Sequence, residues 1–160
     1  MNVSRNRGFT LLELMIVVFV VALVLAISYP SLSRGSASIH LRATGRDVLN
    51  TFRYAREKAV TEQTGMKVTV DREKQRLVLT NDLGEDSRIY PMPTDVKIHR
   101  LALGGNEIAE GPIVVRFLPN GSSERAEVLL MSKAGSSLRI ISDPITGGAR
   151  IEFGSGENFR

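Results

Sequence analysis

Hydrophobic and polar positions divide the chain into three stretches of different rhythm. From Leu14 to Ser33, twenty successive residues carry no charge. As a helix rising about 1.5 Å per residue they extend roughly 30 Å, the thickness of a bilayer's hydrocarbon core. Glu13 heads this run, and a carboxylate at membrane depth is costly unless a partner or a function offsets it. Farther on, Leu41, Gly45, Val48, Phe52, Ala55 and Ala59 recur at spacings of four and three. That spacing is one face of a helix, expected from about Ile39 to Thr64, with Gly65 as its terminating C′ residue. After Gly65 the period falls to two. Met66, Val68 and Val70 alternate with polar residues, and Leu77 and Leu79 resume beyond the charged turn 71–74, which predicts a hairpin.

The remaining turns divide the chain into short strands. Asn81-Asp82-Leu83-Gly84 is a turn, followed by strands at Arg88–Tyr90 and Asp95–Leu101. Leu103 to Gly111, with Gly104-Gly105-Asn106, reads as a loop. Ile113–Leu118 is a strand ended by Pro119-Asn120-Gly121-Ser122, where Asn-Gly is a hairpin signal. Ala126–Ser132, Ser137–Ser142 and Ala149–Phe153 complete about seven or eight strands, with a loose tail from Gly154. One long helix followed by a run of strands predicts an antiparallel α+β domain, the helix stripe packing on a sheet. Pro30 interrupts the first helix. It has no N–H for the carbonyl of Ala26, so a kink or local opening is expected there, and the small residues Ser31 to Ser38 after it read as a hinge.

Composition narrows the choice of partners. The 160 residues contain no cysteine, which removes disulfides, thiol catalysis and cysteine-based zinc sites. The net charge of +4 is uneven. Arg5 and Arg7 precede the apolar run, residues 34–58 contribute +4, and residues 59–160 contribute −1. By the positive-inside rule the two leading arginines put the N-terminus in the cytoplasm and the remainder outside the inner membrane. The near-neutral downstream stretch argues against a broad nucleic-acid surface.

The segment R-G-F-T-L-L-E-L-M-I-V resembles the class III leader of type IV pilins and type II secretion pseudopilins, with Gly8, Phe9, Thr10, Leu11, Glu13 and Leu14 where that motif requires them. A secretory signal peptide fits less well, because the small residue precedes the apolar run and no A-x-A site follows it. A plain anchor leaves Glu13 unexplained, and a buried core helix does not suit a run of this length and position. The resemblance implies a leader over residues 1–8 and a transmembrane, later filament-core, helix over 9–33. It implies a pilin-like periplasmic α+β domain over 34–160. It further implies cleavage between Gly8 and Phe9 by a prepilin peptidase, N-methylation of Phe9, and pairing of Glu13 with the amino terminus of a neighbouring subunit. The later motifs A-R-E-K-A-V-T-E-Q-T-G at 55–65, F-L-P-N-G-S at 117–122 and R-I-I-S-D-P-I-T-G-G-A-R-I at 139–151 resemble the GspH/FimT branch of minor pseudopilins and minor pilins.

Little in the sequence points to catalysis. His40 and His99 are the only histidines and lack metal-ligand spacing, so surface or edge positions are expected. Asp82, Glu85 and Asp86 cluster in a turn without the calcium-loop pattern. Ser122, Ser123, Ser136 and Ser137 lie in turn-like sequence without a G-x-S-x-G context. The expected role is therefore a non-enzymatic assembly subunit without cofactor or metal. It is a minor pseudopilin of a type II secretion system, at or near the pseudopilus tip, contacting other pseudopilin or pilin subunits, the inner membrane and secreted cargo. The alternative is a FimT-like minor pilin serving pilus assembly or DNA uptake. A charge balance of −1 beyond Ser142 disfavours DNA. A major pilin is a third reading, weakened by the absent cysteines and by the GspH/FimT-like second half. The arginines of residues 34–58 read as a solvated helix face, with anionic lipid or acidic neighbouring subunits as the sharper alternative.

Overall fold

A computed structural model describes residues 9–84 and 87–155, with the side chains of 26–36 and 154–155 outside the described set. The chain forms two compact units, Met1–Ser36 and Ala37–Arg160. Helix α1, Leu11–Thr61, is assigned as one element. Pro30, the expected kink, lies within it among the residues whose side chains are not described. In the first unit every described large apolar side chain from Leu11 to Leu25 is exposed. Among the described residues no helix is long and apolar enough to cross a membrane. The uncharged run of the sequence continues beyond Leu25 into the residues whose side chains are not described.

In the second unit the helix buries the stripe expected of it. Val48, Phe52, Ala55 and Ala59 are each at most 1 % exposed, Leu41 is 3 % exposed and Gly45 is buried. The helix ends three residues early, and its left-handed residue is Gln63 (φ 52°), not Gly65. The Gln63 amide donates to the Val60 carbonyl at 2.7 Å, which helps satisfy the helix end. Gly65 instead lies against the following turn. A Cβ there would collide with the carboxylate of Asp82, whose backbone N–H donates to the Gly65 carbonyl at 2.9 Å.

The strands number nine among the described residues, and they form two antiparallel sheets where a single sheet was expected. They are β1 Met66–Asp71, β2 Arg76–Asn81, β3 Arg88–Pro91, β4 Val96–Leu103, β5 Asn106–Ile108, β6 Ile113–Phe117, β7 Ala126–Ser132, β8 Ser136–Ser142 and β9 Ala149–Ser155. One sheet has the order β3-β2-β1-β6, the other β5-β4-β7-β8-β9. The additional strand, β5, lies in the segment expected to be a loop. Gly104 and Gly105, at φ 61° and 89°, supply the two positive φ angles of a two-residue hairpin turn between Leu103 and Asn106. Asn120-Gly121 closes a short antiparallel turn, with Phe117 bridged to Ser123, but the pairing does not extend into a two-strand hairpin. Strand β6 pairs with β1, and β7 with β4 and β8, so the turn carries the chain from one sheet to the other.

The two sheets and the helix share one core. Phe52 meets Phe117 of β6 edge-on, with ring centroids 5.7 Å apart. At Gly45 a Cβ would lie 2.7 Å from Leu138 of β8, so the helix backbone approaches the second sheet closely. Gln75, at φ 47°, fastens the sheets at another point. Its side-chain oxygen accepts from the Ile98 N–H at 2.9 Å and its amide donates to the Arg72 carbonyl at 2.6 Å. The pairing of β4 with β7 shifts register between Ile98 and Arg100, which leaves His99 at the irregularity and exposed. Replacing Gln75 with leucine removes the acceptor of the Ile98 N–H, and an amide left unpaired costs about 1–3 kcal/mol. Thermal unfolding of the detergent-solubilised full chain should show a lowered Tm for Gln75→Leu and a smaller loss for Gln75→Glu, which keeps an acceptor.

Candidate functional site

The N-terminal stretch carries the strongest sequence signal, and its local structure is defined from Phe9 onward. Gly8 and the leader arginines lie outside the described residues. Phe9 and Thr10 precede the helix, and Phe9 is 73 % exposed. Thr10 is the N-cap: its hydroxyl accepts from the Glu13 N–H at 3.2 Å, and its carbonyl accepts from the Leu14 N–H at 3.2 Å. Glu13 is the acidic residue of the first turn, where a negative charge favours the helix N-terminus. Thr10 and Glu13 thus stand in the threonine-x-x-glutamate order of a capping box. This local role was not read from the sequence, although the spacing that signals it is plain.

The other candidate residues acquire definite partners in the second unit. His40, expected to stand alone, lies 2.7 Å from the Asp95 carboxylate. Asp95 is held below the usual carboxylate range first by the Thr94 hydroxyl and then by His40. Asp82 pairs with Lys67 at 2.8 Å, while Glu85 and Asp86 lie outside the described residues. Among the described residues no cluster of metal ligands occurs. Ser122 donates from both N–H and hydroxyl to Asn120, and the Ser123 hydroxyl donates to the Asp143 carbonyl at 3.1 Å. These serines thus organise turns. Ser142, buried at the end of β8, accepts from the Ala126 N–H at 2.8 Å and donates to the Glu124 carbonyl at 2.7 Å.

Sequence reading missed a clasp formed by the helix and two loops. The Arg56 guanidinium donates to the Gly121 carbonyl at 3.2 Å. Gly147, at φ 62°, fits against the same carbonyl, and a Cβ at that position would collide with it. The loop containing Gly147 is organised by Asp143. One carboxylate oxygen accepts from the Thr146 N–H at 2.9 Å, the Ile145 N–H at 3.0 Å and the Thr146 hydroxyl at 3.1 Å. Two grooves flank the helix. One, of about 410 Å³, lies beside Tyr54, Tyr90 and Met92. The other, of about 510 Å³, lies between Arg53, Arg56 and Val60 on one side and Gly147 to Ala149 on the other.

The Thr146 backbone N–H is the foremost cause holding the Asp143 carboxyl below its usual range, with the Thr146 hydroxyl, the Ile145 N–H and nearby Arg150 adding to it. A carboxyl with a lowered folded-state pKa contributes stability above its unfolded pKa and loses it as pH falls through the folded value. Asp143→Ala should therefore flatten the acid limb of the stability profile below about pH 4, the unperturbed carboxylate range. Thermal unfolding measured across pH 2–7, about the span of that limb, checks this. A wild-type slope retained in the variant would assign the effect elsewhere.

Comparison with known proteins adds two findings. Residues 3–29 match the family described as the prokaryotic N-terminal methylation motif. The fold matches two structures of the minor pseudopilin EpsH from the type II secretion system of Vibrio cholerae. Each has a TM-score of 0.59 and covers 74 % of this chain; they cover 99 % and 96 % of the EpsH chains at 14 % and 15 % identity. No curated protein matches the sequence. The chain thus joins a methylation motif that leads into helix α1 to a fold similar to that of a minor pseudopilin.

Proposed function

We propose that the chain is a minor pseudopilin of a type II secretion system, a structural subunit at or near the tip of the pseudopilus. The observation that carries this reading is the likeness to EpsH over nearly the whole EpsH chain, joined to the methylation motif at residues 3–29. The leader is cut between Gly8 and Phe9 by a prepilin peptidase, and the new amine of Phe9 is methylated. The uncharged run Leu14–Ser33 first holds the subunit in the inner membrane, with the N-terminus cytoplasmic and Ala37–Arg160 periplasmic. It then packs among neighbouring helices of the filament, where Pro30 is the weak point of the helix. The exposed apolar side chains from Leu11 to Leu25 support both stages, since a single chain leaves them uncovered. Deleting the gene from its own organism should leave secreted enzymes in the periplasm while pili and DNA uptake persist. Loss of DNA uptake with normal secretion would favour the FimT-like reading instead.

Glu13 is the assembly residue in this reading. A buried cation and a buried carboxylate are each costly alone, and pairing offsets much of that cost. A subunit arriving out of register leaves both unpaired, so the pair sets the axial step. The helix cap uses the backbone N–H of Glu13, which survives replacement of the side chain. Glu13→Leu should therefore fold and be cleaved normally yet fail to co-purify with partner pseudopilins from crosslinked membranes. Unchanged recovery of those partners would remove the assembly role.

A further inference from the structure

The second groove of the helix continues into a longer surface that the proposed function does not use. Arg42, Arg46, Arg53 and Arg56 are spaced by four, seven and three residues, which places them along one side of α1. All four are exposed. At about 1.5 Å per residue the row is roughly 21 Å long. Strand β9 runs beside it in the opposite direction. The Arg42 guanidinium lies 5.1 Å from the centre of the Phe153 ring at one end, and Arg53 and Arg56 line the groove with Gly147 to Ala149 at the other. Seven strand residues at about 3.3 Å each also extend roughly 23 Å, so the row and the strand match in length.

Strand β9 is the last strand of its sheet. It pairs with β8 on one side, and no described strand pairs with its other side. An open edge offers main-chain N–H and C=O groups to an added strand. Its ordinary protections are weak here. It has no proline, its Arg150 is matched by Glu152 at 3.0 Å, and Phe153 is 63 % exposed. The charge beside it is almost all of one sign. Four arginines flank the edge, with Glu57 the one acid that lines the adjoining groove.

From this juxtaposition we propose that the open edge of β9 and the arginine row of α1 form a docking site for an extended acidic segment of a partner protein. The segment adds to the five-stranded sheet as a sixth strand. Backbone pairing supplies the register, and carboxylates on the side chains turned toward the helix meet the arginines. Nucleic acid fits less well. The open edge of β9 pairs with the backbone amides of a peptide, which a nucleic acid lacks. The proposal concerns the surface of Ala37–Arg160 and does not depend on whether the chain serves secretion or a pilus.

The test uses the detergent-solubilised full chain and a fluorescein-labelled peptide alternating threonine and glutamate over seven residues. Fluorescence anisotropy should report binding that weakens as salt rises. The double variant Arg46→Ala/Arg53→Ala, at two side chains with no hydrogen bond or ion pair among the described residues, should fold as the wild type and lose affinity about tenfold, the effect of roughly 1.4 kcal/mol. A peptide with the same side chains but N-methylated at alternate amides should not bind, because it cannot complete the strand. Lysine in place of glutamate should also abolish binding. Equal binding of the N-methylated peptide, an unchanged affinity in the double variant, or displacement of the peptide by a DNA duplex or by anionic phosphatidylglycerol vesicles at lower concentration would each overturn the proposal.

Discussion

The buried stripe of α1 is the contact on which the domain Ala37–Arg160 depends. Neither sheet closes a core by itself. The inward residues of β1, β2 and β6 and those of β4, β7 and β8 belong to one cluster together with Leu41, Val48, Phe52, Ala55 and Ala59. Burying a large apolar side chain contributes about 1.5–3 kcal/mol, and the stripe contributes such burial to both sheets at once. Its composition follows from that double duty. Phe52 reaches across to Phe117 in one sheet, while Gly45 lets the backbone approach Leu138 in the other. A glycine inside a helix costs about 1 kcal/mol relative to alanine. The cost is offset because Leu138 is wholly buried and has little room to yield to a Cβ.

Once the stripe is committed inward, the two flanks of the helix acquire separate characters. On one flank Thr44 and Thr51 turn their hydroxyls back to the carbonyls of His40 and Asp47, at 2.9 Å each, and border the groove near Tyr90. On the other flank the arginine row meets β9 and the glycine loop. Gly121 and Gly147 are shaped around Arg56 at the end of this flank. The F-L-P-N-G-S and D-P-I-T-G-G segments are therefore coupled through a helix residue that is 65 positions before Gly121 and farther still before Gly147. The glycines there are explained by the clasp and not only by turn formation.

The parts of this architecture that were legible in the sequence are those set by local periodicity. The helix stripe and the alternation of β1 and β2 were read from spacing, because burial on one face imposes it directly. Pairing was not legible, since alternation says which side chains point inward and is silent about which strand lies alongside. Hence one sheet was expected and two are present. Gly104-Gly105 was taken as a loop although it makes a hairpin, while the turn at Asn120-Gly121 closes one antiparallel bridge, Phe117 to Ser123, before the chain passes to the other sheet. In both cases the dipeptide fixes a positive φ, and tertiary pairing decides what the turn connects. The three-residue step from Ile98 to Leu101 was the one written trace of the irregularity at His99. The contacts of His40 with Asp95 and of Gln75 with Ile98 left no trace, because they join residues brought together only by the fold.

The N-terminal stretch poses the reverse problem, a strong motif whose described surroundings are simple. The threonine and glutamate of that motif have an immediate physical reason in the start of the helix. Thr10 caps it, and Glu13 places a negative charge in its first turn. An anion there is favourable even without a second chain, so the presence of Glu13 does not by itself require an intersubunit partner. The apolar exposure that follows does require covering. Side chains from Leu11 to Leu25 remain open to solvent in the single chain, far beyond the scattered apolar exposure ordinary for a soluble surface. Whatever covers that surface also lowers the dielectric around Glu13, and a carboxylate tolerated in water then becomes selective for a cation. The assembly role proposed for Glu13 would therefore follow from the apolar surface beside it, with the helix cap as the fixed frame that holds the carboxylate at the first turn.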